Sequence, residues 1–169
     1  MTFLRRVEVY QVVKRSSYFA IALALGTACN KSPFALVPVD PELRAAPTEI
    51  AVGATTVRLE ASLWRDFQPV SPPDGKPLVA VLRIRAIAGG GVPADLHPEF
   101  AWVLNGRQAW ASDVGEERRE PSGAFIEVVA RDGPKWGPRI EVDVVVRLRD
   151  ASGRVQLLQV RGQPIGRTD

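Results

Sequence analysis

Between Arg139 and Arg149 the chain alternates strictly. Ile140, Val142, Val144, Val146 and Leu148 fall on one parity, and Arg139, Glu141, Asp143, Val145, Arg147 and Arg149 on the other. Side chains two apart on an extended chain share a face, so this period describes a strand with one apolar and one polar side. Wound at 3.6 residues per turn, the same apolar residues would scatter around the axis and define no face. Such a strand requires neighbours for its backbone hydrogen bonds and an apolar layer against its inner side. Asp150-Ala-Ser-Gly153 reads as a four-residue hairpin loop with glycine at the left-handed position, and Val155–Val160 returns beside the first strand.

The same period recurs upstream. In Thr56–Leu63, Val57, Leu59, Ala61 and Leu63 oppose Arg58, Glu60 and Ser62. The alternation is expected to break at Trp64-Arg-Asp-Phe67 in a bulge or turn, followed by the proline-rich loop Gln68–Pro77 with its Asp74-Gly75 turn signal. Leu78–Ala88 places Leu78, Ala80, Leu82, Ile84 and Ala86 on one face and Arg83 and Arg85 on the other, and Gly89-Gly-Gly91 ends it. No lysine or helix start follows that triple glycine, so it reads as a flexible turn and not as a phosphate cradle. Phe100–Leu104 and Arg107–Ala111 flank Asn105-Gly106, the dipeptide preferred in two-residue hairpin turns. That turn puts Trp102 and Trp110 on opposite faces, one in the core and the other exposed or covered by a second sheet or loop. Gly115–Pro121 reads as a charged solvated loop, Phe125–Arg131 as another strand, and Gly162–Asp169 carries no pattern.

Fourteen prolines and the regular turn signals leave no room for long helices. Short strands spaced this way form a sandwich or a barrel and not a parallel sheet. The expected fold is all-β: seven or eight strands and a final tight hairpin, which resembles an immunoglobulin-like or fibronectin-like antiparallel sandwich. The disulfide of antibody domains is absent, so the resemblance is architectural and implies no chemistry. A small open barrel is the alternative.

The first 28 residues are of another kind. Arg5, Arg6, Lys14 and Arg15 stand against one acid, Glu8, and are followed by the uncharged run Tyr18–Leu25 and the small residues Gly26-Thr27-Ala28. A basic start, an apolar centre and a small-residue end are the parts of a secretory signal peptide. The apolar centre is shorter than the roughly 20 residues a stable membrane span needs. Leu25-Gly26-Thr27-Ala28-Cys29 resembles the lipobox of bacterial lipoproteins, where a branched apolar residue and two small ones precede the cysteine that is lipidated and becomes the mature N-terminus. Gly26 holds the place where that family usually has leucine, and Leu25 sits one residue further back. Gly26-Thr27-Ala28 also suits ordinary signal peptidase, which would leave Cys29 first but unacylated. As the only cysteine of the chain, Cys29 has no internal disulfide partner.

The expected organisation is therefore a signal peptide over 1–28, a lipidation site and proline-rich tether over 29–47, a β-sandwich domain over 48–162 and a tail over 163–169. A first strand near Phe34–Val39 is the alternative to the tether. The leader also carries the whole net charge of +3; from Cys29 onward acids and bases balance. A neutral domain projects no long-range field toward phosphates, which argues against nucleic acid as a partner.

Chemistry is sparse. The one histidine, His97, lies between Asp95 and Glu99; as alternate residues of a strand these three could face a metal together, but Pro98 argues for a loop and a solvated histidine. No Gly-x-Ser-x-Gly elbow accompanies it, and no cofactor motif is present. The tryptophans Trp64, Trp110 and Trp136, with Arg65, are the candidate binding residues, since aromatics on stiff loops stack on sugars or anchor proteins. The plainer reading has them closing the ends of the sandwich, with Arg65 or Lys135 over a ring. The expected function is that of a non-enzymatic envelope protein, anchored through Cys29 on the outer-membrane or periplasmic side, which binds or assembles with an envelope protein. The alternative is a carbohydrate-binding or hydrolytic protein using Trp136, Trp64 and the Gly89–Glu99 loop.

Overall fold

The computed structural model describes residues 35–169; the leader, Cys29 and the first residues of the expected tether lie outside them. In chain order the elements are β1 (Ala35–Pro38), α1 (Pro41–Ala45), β2 (Glu49–Val52), β3 (Thr55–Asp66), β4 (Leu78–Ala88), β5 (His97–Asn105), β6 (Gln108–Asp113), β7 (Gly115–Arg119), β8 (Phe125–Gly133), β9 (Glu141–Arg149) and β10 (Val155–Thr168). The chain is nearly all β, as its periodicity requires.

The strands join in one hydrogen-bonded path, β1-β6-β5-β9-β10-β3-β4-β8-β7, with β2 on the edge of β3. The path curls, and its two halves face each other across the core. Val142, Val144, Val146 and Leu148 of β9 meet Leu59 and Leu63 of β3 and Leu78, Leu82 and Ile84 of β4 in a single buried cluster. The parity read from the sequence is the parity that is buried, because a half-turn of strand would exchange its apolar and charged sides.

Strand β10 closes the curl by belonging to both halves. Val155–Pro164 runs antiparallel to β9, and a bulge between Val160 and Gln163 turns the strand so that Ile165–Thr168 pairs parallel with Leu63–Asp66 of β3. Residues 163–169, expected as a patternless tail, are thus strand as far as Thr168. The alternation there is masked by the bulge and by Pro164 and Gly166, and only Ile165 on this stretch is buried.

Three other expectations change. The Phe100–Ala111 hairpin turns at Gly106-Arg107, so Asn105 pairs with Gln108 and Val103 with Trp110. Glycine with φ 57° at the first central position is the placement a type II′ turn favours, and the two tryptophans still point to opposite faces. Gly115–Arg119, read as a loop, is the edge strand β7; its charges suit an edge, where they deter pairing with other chains. The end of the expected tether is ordered: β1 pairs with β6, and Asp40 caps α1 by accepting a 2.9 Å hydrogen bond from the Glu42 amide. With β1 and β7 the strands number ten among the described residues, where seven or eight were expected.

Segment α1 crosses the outer face of the half formed by β1, β6, β5, β9 and β10. Its Leu43 and Ala46 cover Val145, Leu104 and Ala109, with Trp102 and Leu157 beside them. That accounts for Val145, the one apolar residue on the charged parity of β9. Gln159 of β10 is 1% exposed and holds the crossing in place. Its amide nitrogen donates to Pro47 O at 2.8 Å, and its side chain donates to Ala46 O and Arg44 O. Gln159→Leu keeps the volume and the backbone bond to Pro47 O but orphans the Ala46 carbonyl and leaves Arg44 O with Arg161 alone. We expect a loss of about 1–3 kcal/mol and faster amide exchange at Leu43; exchange at the wild-type rate would show that the covering segment is held by packing alone.

Candidate functional site

The covering segment leaves a cleft of about 750 Å³ beside it on the outer face. Val37 and Pro38 of β1, Glu42, Leu43 and Ala45 of α1, and Pro47 make one wall. The floor is Trp102 of β5, Arg147 of β9, and Val155 and Leu157 of β10. These are neighbours by register: Arg147 pairs with Phe100 on one side and with Leu157 on the other. Phe100 packs on Trp102 with ring centroids 4.8 Å apart and planes tilted by 56°. Val155 is 44% exposed. Mostly apolar walls with a few polar groups, in a volume within the range of about 300–1,000 Å³, are the usual make-up of a small-ligand site.

Arg147 is the charged group of the floor. Its guanidinium carbon lies 5.7 Å from the Phe100 ring centroid. Its Nε is 3.2 Å from Glu99 Oε2, yet it makes no hydrogen bond and is buried. Glu99 is committed elsewhere, because Arg149 donates to both of its oxygens through Nε and Nη2. That clamp from Arg149, with the nearby charges of Arg149 and Arg147, holds the Glu99 carboxyl below the usual carboxylate range. It therefore stays ionised to a lower pH than an unpaired glutamate does. Two guanidiniums share one carboxylate, so the floor retains positive charge. Asp40 and Glu42, which line the cleft from the side of α1, are exposed to water.

None of the candidate binding residues of the sequence lies in this cleft. Trp110 is 1% exposed and sits in the core. Trp64 is half-buried on the outer face of the other half, paired with Val79, and Trp136 is half-buried against the core. Arg65 is 3% exposed, since β3 continues through it and its side chain points inward. The guanidinium donates at 3.0 Å to Lys76 O, Lys135 O and Gly137 O, and also to Asp74 O. It ties two loops at one end of the curled sheet and lies 4.9 Å from the Phe67 ring centroid. Its donors are used within the fold.

The alternative site is not assembled either. Trp64 and Trp136 flank the end tied by Arg65, whereas Gly89 abuts Ala54 and Thr55. Thr55 is nine residues from Trp64 along β3, about 30 Å at ~3.3 Å per residue. A Cβ at Gly89, where φ is 91°, would stand 2.6 Å from Ala54 O, so the close approach of the two turns requires glycine. His97 opens strand β5 opposite Arg149 and is exposed, as is Asp95, while Glu99 belongs to the arginine clamp. Among the described residues no three His, Cys, Asp or Glu side chains gather to hold a metal ion, and no helix is long and apolar enough to cross a membrane.

The residues of the cleft carried a signal in the sequence. Trp102 and Leu157, with the covered Val145 between their strands, are apolar positions on the outward parity of three adjacent strands, and together they mark an outer face that something covers. Comparison with protein families, with curated proteins and with solved structures finds no match to this chain.

Proposed function

We propose that this chain is an exported, lipid-anchored envelope protein of bacterial type, non-enzymatic, whose immunoglobulin-like sandwich is a binding module. Cys29 is its anchor, on the outer-membrane or periplasmic side, and the cleft beside α1 is where its ligand or envelope partner is engaged. The observation that carries this reading is the cleft: an apolar floor with a tryptophan, roofed at one side by a segment the fold spends a buried glutamine to hold. The leader supports the location, and two facing layers of mainly antiparallel strands support the sandwich class. The sugar-stacking alternative asks for flat exposed rings, and Trp64 and Trp136 are half-buried.

Two variants of the full chain test the two halves of the proposal. Cys29→Ala is expected to leave the protein in the soluble envelope fraction or unprocessed, while wild type fractionates with membranes and incorporates labelled palmitate. Label retained by the variant would exclude Cys29 as the lipidated residue. Leu157→Arg, which puts a charge on the cleft floor, is expected to abolish retention of the lipids or protein that wild type holds from a detergent-solubilised envelope extract. Retention of the same material by both would place the binding surface elsewhere.

A further inference from the structure

The cleft joins an apolar floor to a cation that the fold does not fully pair. We infer that it takes a single-chain amphiphile with an anionic head, a carboxylate or a phosphate: the chain along Trp102, Leu157 and Val155, the head on Arg147. This inference rests on the cleft being the binding site of the preceding section and names the chemistry of what it holds.

Charge and position together select the sign of the head. Arg149 takes both oxygens of Glu99, while the Nε of Arg147 is buried without a hydrogen bond and its side chain as a whole is 39% exposed. Arg147 lines the cleft, and among the described residues its Nη atoms donate no hydrogen bond, so it keeps donors for a carboxylate or phosphate there. Asp40 and Glu42 also border the cleft, but both are exposed to water, where their repulsion of an anion is screened. The Arg147 charge lies on the apolar floor against Phe100, in a lower dielectric, where it counts for more. A guanidinium is weakly hydrated and stacks on aromatic rings, so its place between Phe100 and Leu157 is one that a lysine ammonium would fill poorly. The exposed Val155 extends the apolar track past the head site. A water-soluble anion would leave that track bare, and an uncharged apolar molecule would leave the guanidinium unanswered.

Three probes with one twelve-carbon chain separate the terms: dodecanoate and dodecyltrimethylammonium, each below its micelle concentration, and dodecanol below its solubility limit. Each is titrated into full-length protein while tryptophan fluorescence is read, with Trp102→Phe identifying the part of the signal that comes from the cleft. Dodecanoate is expected to saturate a Trp102-dependent change and to bind roughly tenfold or more tightly than the other two, the discrimination of one charge-assisted hydrogen-bonded pair. Arg147→Gln should weaken dodecanoate by the same factor and leave dodecanol unchanged, which also shows that the variant is folded. Arg147→Lys should recover only part of the loss. Equal binding of all three probes, or dodecanoate binding untouched by Arg147→Gln, overturns the anionic head while keeping the cleft as a site. Absence of any Trp102-dependent signal from all three overturns the inference and leaves a protein partner as the reading of the cleft, which the Leu157→Arg retention experiment decides.

Discussion

Replacing Arg65 by methionine should be among the most damaging single changes on this protein. The side chain is almost fully buried and satisfies the carbonyls of Asp74, Lys76, Lys135 and Gly137 at once. Methionine keeps the stem and removes every donor, so several carbonyls lose their partner in a place water reaches poorly. A buried acceptor left unmet costs about 1–3 kcal/mol, and the group as a whole is expected to lose about 3–5 kcal/mol. Lysine should recover a minor part: its three donors radiate from one point and cannot reach carbonyls on two loops. Urea unfolding followed by circular dichroism is the measurement. A methionine variant with the wild-type midpoint would mean that the two loops hold themselves, and that Arg65 is free to serve a ligand.

The second large effect is expected at the contact between the two halves of the curled sheet. Trp110 of β6 is 1% exposed, and the backbone of Gly133 at the end of β8 lies flat against its ring. A Cβ added at Gly133 would stand 2.7 Å from Cε3 and Cζ3 of that ring. Trp110→Ala should cost about 3–5 kcal/mol through lost contacts and the cavity left behind. Gly133→Ala should cost about 1–3 kcal/mol by overpacking. The two changes are not independent. In a Trp110→Leu background the added methyl has room, and Gly133→Ala should come within roughly 0.5 kcal/mol of neutral. Equal cost in both backgrounds would place the strain of Gly133→Ala in the backbone and not against the indole.

Much of the fold is legible because β structure on a one-sided core writes itself in parity. Val142 to Leu148, Leu59 and Leu63, and Leu78 to Ile84 are buried as the alternation of their segments requires. Parity fails where the chain departs from a simple half-buried strand. Ile165 sits past a bulge that resets the count, and Arg65 continues the inward parity with a charged residue, which by type alone signals a surface. Val145 and Leu157 look like exceptions on a polar face until the covering segment is seen. The cleft was missed for the same reason. Its residues come from β1, α1, β5, β9 and β10, and no spacing in the chain announces that Arg147 and Trp102 share one surface.

The amino-acid sequence by itself determined that the described residues are mainly β, which sides of the strands are buried, which glycines lie in turns and that the net positive charge resides in the first 28 residues. Those are local properties: a period, a φ preference, a count of charges. Only the tertiary structure decided that β10 changes neighbours to close the curl, that Arg65 serves the fold and not a ligand, and that α1 roofs a cleft with a half-paired arginine in its floor. These depend on which distant carbonyls, rings and carboxylates reach the same place. Hydrogen bonds and ion pairs act over a few ångströms in space, whatever their separation along the chain.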